Sequence, residues 1–478
     1  MKICFFARIF DSFVAKVIFS LYRRTIMDIK DIKQIEDGKV KVCAWVRNHR
    51  RQKEMGFLDI YDGTAFGVVQ VVYDNSLSDF EQIQKINIGS AIQVEGNLQT
   101  AYNDKNKKEI VATNITLLAD CTLDYPIQPK RHTVEYLREV AYLRPRTNLF
   151  QAVFKIRSKL AFAIHNYFNK RGFTYVHTPI LTANDGEGAG NTFQVTTLLN
   201  QKDTSKLDFS KDFFGKKSFL AVTGQLEGET FAMAFKKIYT FGPTFRAEDS
   251  NTKTHAAEFW MIEPEVAFCT LDELIKLEED FLVEVIKDVM QSSQEELEFF
   301  DKFVEKGLIE RLQNIVKGNF PVITYEEAVS ILKPHNDQFS LKAEYGEDIG
   351  REHEKYLTEV HFKSPVFIKD WPKEAKAFYM RQNDDGKTVA AVDLIVPNSG
   401  ELMGGSEREE RLPLLEKRME ELHIPKENMQ FYLNLRKFGG CRHSGFGMGF
   451  ERLVMLVTGV NNIRDVLPYY RTPGNIAF

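Results

Sequence analysis

Between residues 39 and 118 the chain offers only short runs in which apolar and polar side chains alternate, and no helical repeat interrupts them. Residues 40–46 (VKVCAWV) have a period of two, and 57–60 and 67–73 follow with Asp62-Gly63 marking the turn between them. Residues 91–99 and 109–119 complete a set of five. Alternation of this kind gives a strand one face for a core and one for solvent, and a set of short strands with Gly-marked turns closes most readily into a small barrel of OB type. Barrels of that size commonly hold single-stranded nucleic acid on one face by aromatic stacking and basic side chains.

At 478 residues the chain exceeds what one hydrophobic core usually organises, so further domains are expected. The domain expectation is an N-terminal extension at 1–27, the barrel at 28–120, a hinge at 121–150 and a second, larger domain at 151–478. The first 26 residues carry five Lys/Arg against one Asp, and their apolar stretches are too interrupted for a membrane span. We read them as a dispensable tail ahead of a start at Met27, with an organelle-targeting peptide as the alternative. Five scattered cysteines show neither zinc-ligand nor redox spacing, which points to a reduced, cytoplasmic protein without structural metal. The net charge of −4 decides nothing about a polyanionic partner, because local clusters set phosphate affinity. Residues 47–53 (RNHRRQK) form such a cluster, for which a solvated loop of charges is the plain alternative.

Residues 120–148 are punctuated by Pro126, Pro129 and Pro145 and rich in Lys and Arg, as suits a basic hinge. From Gln151 the period lengthens. Val153, Ile156, Leu160, Ile164 and Phe168 predict an amphipathic helix ended by Gly172, and residues 173–181 (FTYVHTPIL) a strand closed by Pro179. Thr270 with Glu273 predicts a capping box ahead of a second long helix. Strand-like runs at 237–248, 258–268 and 389–397 interleave with the helices, giving an α+β fold class. Residues 196–220 read as a polar surface insertion.

Three segments carry the chemistry. In FRAE…HAAEF, Arg246 ends one strand and Phe259 opens the next, offering a phosphate fork and a flat face for a base; an exposed ion pair and a core Phe is the bland alternative. In SGFGMGFER (444–452), alternating glycines would let backbone approach a ligand, and Arg452 falls in the first turn of the helix that follows; bulges and tight packing use glycine too. Asp393 and Glu401 flank a third segment, where hard oxygen ligands could hold Mg²⁺ or simply be solvated acids of a turn.

Taken together and in this order, the segments resemble the three motifs of class II aminoacyl-tRNA synthetases: TPI at Pro179, FRAE…HAAEF and GFGMGFER. An OB-type barrel ahead of them is similar to the subgroup charging aspartate, asparagine and lysine. The resemblance implies an antiparallel catalytic sheet flanked by helices, a homodimer, ATP and Mg²⁺ as substrate and cofactor, and tRNA as partner. It also implies roles. Arg246 would bind the α-phosphate, Glu248 place adenine or the tRNA end, His255 reach the outer phosphates and Phe259 stack adenine. Arg452 would hold the γ-phosphate, Glu401 with Asp393 would hold Mg²⁺, and Glu187 and Gln225 the amino group of the amino acid. Phe57 and Gln70 match anticodon-reading positions, with Arg47, Arg50 and Arg51 on tRNA phosphates.

The stretch TGQLEGE (223–229) resembles the asparaginyl members, as do HSGFGMGFER and the final RTPG. Aspartyl members carry a Lys where Gly228 stands. Glu229 would then accept from a substrate amide while Arg408 donates to its carbonyl, and a substrate carboxylate would face Glu229 as a like charge. L-asparagine and tRNA(Asn) are the expected substrates. The rivals are an aspartyl enzyme, including one of relaxed specificity, and a tRNA-independent asparagine synthetase built on the same catalytic fold. A non-catalytic relative would be expected to lack the motif arginines.

Overall fold

The structure, a computed structural model, describes residues 26–102, 104–184, 192–200 and 207–478. It divides into two compact units, one ending at Ala152 and the other beginning at Val153.

The first unit holds a closed barrel in the order β1-β2-β3-β5-β4: β1 (Gly38–Arg51), β2 (Met55–Tyr61), β3 (Val69–Asp74), β4 (Ala91–Ala101) and β5 (Asp104–Ala119). The alternation explains the core: Val40, Val42, Ala44 and Val46 point inward beside Leu58, Ile60, Val71, Ile92, Val94 and Ile110. The Asp62 carboxylate accepts from the Thr64 amide and hydroxyl, and Gly63 takes a φ of +83°, closing the turn after β2. β1 pairs with β4 through Trp45 and with β2 from Trp45 onward, and its register shifts between Val46 and Asn48. Parallel pairing of β3 with β5 seals the cylinder. The basic cluster lies mainly in β1, which runs through Arg51, and not in a loop.

The second unit is built on an eight-stranded sheet, order β12-β13-β14-β15-β16-β11-β10-β6. Its strands are β6 (Thr174–Tyr175), β10 (Lys237–Phe245), β11 (Glu258–Ala267), β12 (Val322–Thr324), β13 (Val366–Pro372), β14 (Thr388–Val396), β15 (Gly400–Glu407) and β16 (His443–Gly449). Only the outer pairs β6–β10 and β12–β13 run parallel. A small sheet joins β7 (Leu181–Thr182), β9 (Ser218–Leu220) and β8 (Gln194–Val195).

The predicted helix spans Asn148–Lys170, with Val153, Ile156, Leu160, Ile164 and Phe168 fully buried and Gly172 at φ +74° beyond its end. The capping box is present: the Thr270 side chain accepts from the Glu273 amide, and Glu273 reaches back to Thr270, starting the Leu271–Ser292 helix. That helix packs against β14, β15 and β16. The strand expected over 173–181 is reduced to β6 and β7, two residues each. Between them Val176 still donates to the Tyr239 carbonyl and Ile180 accepts from the Ala221 amide, but Pro179 has no amide with which to continue the ladder. Part of the insertion at 196–220 lies outside the described residues.

Candidate active site

The central strands open into a cavity of about 310 Å³ that gathers residues from FRAE…HAAEF, from GFGMGFER and from the Asp393–Glu401 segment. Antiparallel pairing brings the end of β10 to the start of β11, and the Arg246 amide extends the ladder by donating to the Ala257 carbonyl at 3.0 Å. The Arg246 guanidinium carbon lies 5.4 Å from the centre of the Phe259 ring. Glu248 and His255 line the same wall, with His255 Nδ1 hydrogen-bonded to the Thr252 hydroxyl at 2.5 Å.

Arg452 enters from the Phe450–Thr458 helix as its third residue, within the first turn. Its neighbour Glu451 anchors that turn: one buried carboxylate oxygen accepts from Arg157 at 2.7 Å, the other from the Trp260 amide at 3.0 Å. Arg452 Nη1 donates to the Glu401 carbonyl at 2.8 Å.

The glycines of β16 serve the protein before any ligand. A Cβ at Gly445 would fall 2.3 Å from the Glu265 carboxylate, and one at Gly447 would fall 2.9 Å from the Met261 methyl. The spacing that suggested close ligand approach therefore makes room for two β11 side chains.

Asp393 on β14 and Glu401 on β15 converge. A Cβ at Gly404 would sit 3.3 Å from Glu401 Oε1 and 3.4 Å from Asp393 Oδ1. Lys376 donates to the other Asp393 oxygen at 2.5 Å. Burial pushes Asp393 up to about 6, against the Lys376 charge and with help from Glu401. Nearby, burial and then the Glu401 charge push Glu354 up to about 7. Among the described residues no group of three or more His, Cys, Asp or Glu could hold a metal. Two converging carboxylates fit Mg²⁺, an ion that takes one or two carboxylates and completes its shell with water and substrate phosphates.

At the other end of the cavity stand Gln225, Glu263 and Arg408. Arg408 forms a two-pronged pair with Glu265, at 2.5 and 3.2 Å, and donates to Ser406 at 2.9 Å. The Glu265 carboxyl is raised to about 7, burial outweighing Arg408. Glu263 accepts from the Gly224 amide at 2.9 Å, from Thr240 at 3.0 Å and from the Thr223 hydroxyl.

Glu229 departs from expectation. Its carboxylate is fully buried and does not line the cavity. One oxygen accepts from Gln225 Nε2 at 3.0 Å and the Tyr432 hydroxyl at 2.9 Å. The other takes Arg436 at 2.8 Å and His443 at 2.8 Å. Burial opposes its ionisation, but Arg436, His443 and Arg408 hold its pKa below the usual carboxylate range. Gln225, one helical turn earlier, stands between it and the cavity. Glu187 lies outside the described residues.

Sequence reasoning missed Glu263, Glu265, Lys376, Tyr432, Arg436 and His443. The first two left a signal: acids two apart within the apolar run MIEPEVAF share one face of a strand.

On the barrel, strand pairing assembles the predicted reading face. Arg50 is opposite Phe57, and Gln70 is paired with both Asp59 and Glu109. Arg50 donates to Gln70 Oε1 at 2.6 Å with its guanidinium carbon 5.2 Å from the Phe57 ring centre, and Gln70 donates to Glu109 at 3.0 Å. Phe57 is half-buried and stands apart from the barrel core. Arg47 is not part of this cluster: it lies 4.0 Å over the Tyr61 ring and donates to Asn148 and to the Arg146 carbonyl. Arg51 is likewise tied, to the carbonyls of Gln84 and Ile86.

A nucleic-acid-type barrel preceding an antiparallel sheet, with two motif arginines, a stacking ring and an acid pair around one cavity, defines a class II aminoacyl-tRNA synthetase. The chain belongs to the tRNA synthetases class II (D, K and N), whose family pattern it matches over residues 133–473, while residues 40–118 match the OB-fold nucleic acid binding domain. Relatives within that family include asparagine–tRNA ligases. One from Acholeplasma laidlawii is 56% identical over 454 residues, covering 94% of this chain and 98% of the relative. Another, from Clostridium acetobutylicum, is 53% identical over 444 residues, covering 92% and 96%. Among solved structures, asparaginyl-tRNA synthetase from Pyrococcus horikoshii complexed with asparaginyl-adenylate matches with a TM-score of 0.83 at 29% identity, over 94% of this chain and 99% of that one.

Proposed function

We infer that the chain activates L-asparagine with ATP and transfers it to tRNA(Asn). A carboxylate oxygen of asparagine attacks the α-phosphorus, the bond to the β-phosphate breaks, and pyrophosphate leaves. A terminal ribose hydroxyl of the tRNA then attacks the carbonyl carbon of the adenylate, loses its proton, and releases AMP. Such chemistry asks the protein for in-line positioning and for positive charge where the transferring phosphate gathers negative charge.

The observation that carries the reading is the two-ended cavity. Phosphate-binding charge and a stacking ring stand at one end, and a compensated polar pocket at the other. Arg246 takes the α-phosphate, Arg452 the γ-phosphate, His255 the outer phosphates and Phe259 the adenine; Glu248 orients adenine or the tRNA end. Asp393 and Glu401 would hold Mg²⁺, which supplies neutralisation of phosphate charge. Gln225, with Glu187, holds the amino group, and Glu263 adds a second buried acceptor in reach of it.

Charge balance favours asparagine over aspartate. Arg408 is neutralised by Glu265 and Arg436 by Glu229, so among the described residues neither of these arginines is spare for a second carboxylate. A Cβ at Gly228 would meet Ile238 at 3.4 Å, Thr240 at 3.7 Å and Glu265 Cγ at 4.0 Å, so a Lys at this position would start beside the Glu265–Arg408 pair. Glu229 acts on the amide through its charge on Arg408 and does not itself touch the cavity. Phe57, Gln70 and Arg50 read the anticodon loop. The exposed Phe162 and Tyr175 favour a homodimer interface on the first-motif region. Free cysteines and a role in translation suit the cytoplasm; no helix of the described residues is long and apolar enough to cross a membrane.

The test is ATP–pyrophosphate exchange with asparagine and aspartate side by side. Exchange with asparagine alone is the expected result. Exchange with aspartate would overturn the charge-balance argument, and exchange with neither would overturn the reaction.

A further inference from the structure

The turn joining β14 to β15 is gripped from outside the cavity by a short helix, Arg351–Lys355, that no role above uses. Arg351 donates through Nη1 to the Ser399 carbonyl at 2.5 Å and through Nη2 to the Asn398 carbonyl at 3.2 Å. Glu354 Oε1 accepts from the Glu401 amide at 3.2 Å. Gly400, at φ +74°, leaves no room for more: a Cβ there would fall 2.4 Å from Arg351 Nη1 and 2.5 Å from Glu354 Oε2. On the cavity side the Glu401 carbonyl accepts from Arg452. The backbone on both flanks of Glu401 is therefore fixed, by Glu354 on one side and by the γ-phosphate arginine on the other. The helix runs directly into a π-helical turn, Tyr356–His361, an irregularity that often accompanies functional sites.

We propose that Arg351 and Glu354 are positioning residues that set Glu401, and through its carbonyl Arg452, for the metal–ATP complex. Neither touches substrate or ion. They restrict the turn so that the Glu401 carboxylate stays turned toward Asp393 and the Arg452 guanidinium stays over the outer phosphates. The inference rests on Asp393 and Glu401 being the cation's ligands.

Four variants test it: Glu354→Ala, Glu354→Gln, Arg351→Ala and, for the underlying reading, Glu401→Gln. The readouts are the Mg²⁺ dependence of ATP–pyrophosphate exchange, the KM for asparagine, thermal melting, and Mn²⁺ binding in the presence of ATP followed by electron paramagnetic resonance. Removing partners that orient a metal ligand typically weakens metal affinity about 10- to 100-fold. Glu354→Ala and Arg351→Ala should therefore raise half-saturating Mg²⁺ and the Mn²⁺ dissociation constant by about tenfold. The asparagine KM should stay within about twofold, since the amino-acid end is not reached by the clamp. Glu354→Gln keeps an acceptor oxygen for the Glu401 amide and should restore metal affinity. Unchanged metal affinity in both alanine variants would overturn the proposal. So would a matching loss for asparagine, which would indicate general distortion, or a Glu354→Gln variant as weak as Glu354→Ala, which would make charge the cause. If Glu401→Gln binds Mn²⁺ as the unaltered chain does, the metal assignment fails instead.

Discussion

Arg50 on the barrel and Arg408 in the catalytic unit are each held by neighbouring polar side chains, yet their surroundings differ in kind. Arg50 is about half exposed and bonded to Gln70, with Asp59 at 3.5 Å; Arg408 is sealed from solvent against Glu265 and Ser406. An exposed pair contributes about 0–1 kcal/mol, so its partners exchange readily for a ligand's. A buried pair is different. Its removal as a unit can be tolerated, but loss of one partner leaves an uncompensated charge and costs about 3–5 kcal/mol. The barrel cluster thus holds partners that can be exchanged, whereas the catalytic unit holds its groups fixed in advance.

The sharpest break of that contrast is at the phosphate end. Arg246→Ala should lower ATP–pyrophosphate exchange by about a hundredfold or more, with thermal melting little changed, because the side chain acts on charge that appears during reaction. Near-normal exchange would remove its phosphate role. Next comes Glu265→Ala, which strands Arg408 and should cost about 3–5 kcal/mol in urea unfolding of the catalytic unit. A loss below 1 kcal/mol would place Arg408 with the exchangeable arginines of the barrel. Phe57→Ala should weaken tRNA charging by about 1–3 kcal/mol of lost stacking, read as kcat/KM for tRNA, while exchange is unchanged. Equal losses in both assays would mean that the barrel's reading face and the activation site are not separable. Smallest is Glu229→Gln, expected to reduce the preference for asparagine over aspartate by about tenfold, roughly 1.4 kcal/mol. An unchanged ratio of exchange rates for the two amino acids would leave Arg408 as the reader without help from beneath.

The two regions were also unequally legible. All five barrel strands announced themselves, because a barrel strand needs one apolar face and alternation writes that face into the sequence. Arg47 stands apart from the Arg50 cluster for a local reason: the register shift between Val46 and Asn48 sits on it, and a bulge turns a side chain away from the face its neighbours share. In the catalytic unit the motif residues were readable because short segments carry them. What holds them was not. Glu229 meets Arg436 across 207 positions and His443 across 214, and no local period encodes such a meeting. Gln225 and Glu229 share a helix face, so sequence spacing offered both to the cavity equally. Depth distinguishes them, and depth comes from the strands packed beneath.

Gly445 shows how an absence can be informative. Its missing methyl is the volume in which the Glu265 carboxylate lies, and that carboxylate is what keeps Arg408 neutralised. An alanine at this one position would evict an anion rather than merely crowd a strand, leaving the pocket with a free positive charge suited to an acidic side chain. The glycine is thereby a one-letter record of the pocket's electrical state, and a point from which its taste in substrates could drift by a single codon change.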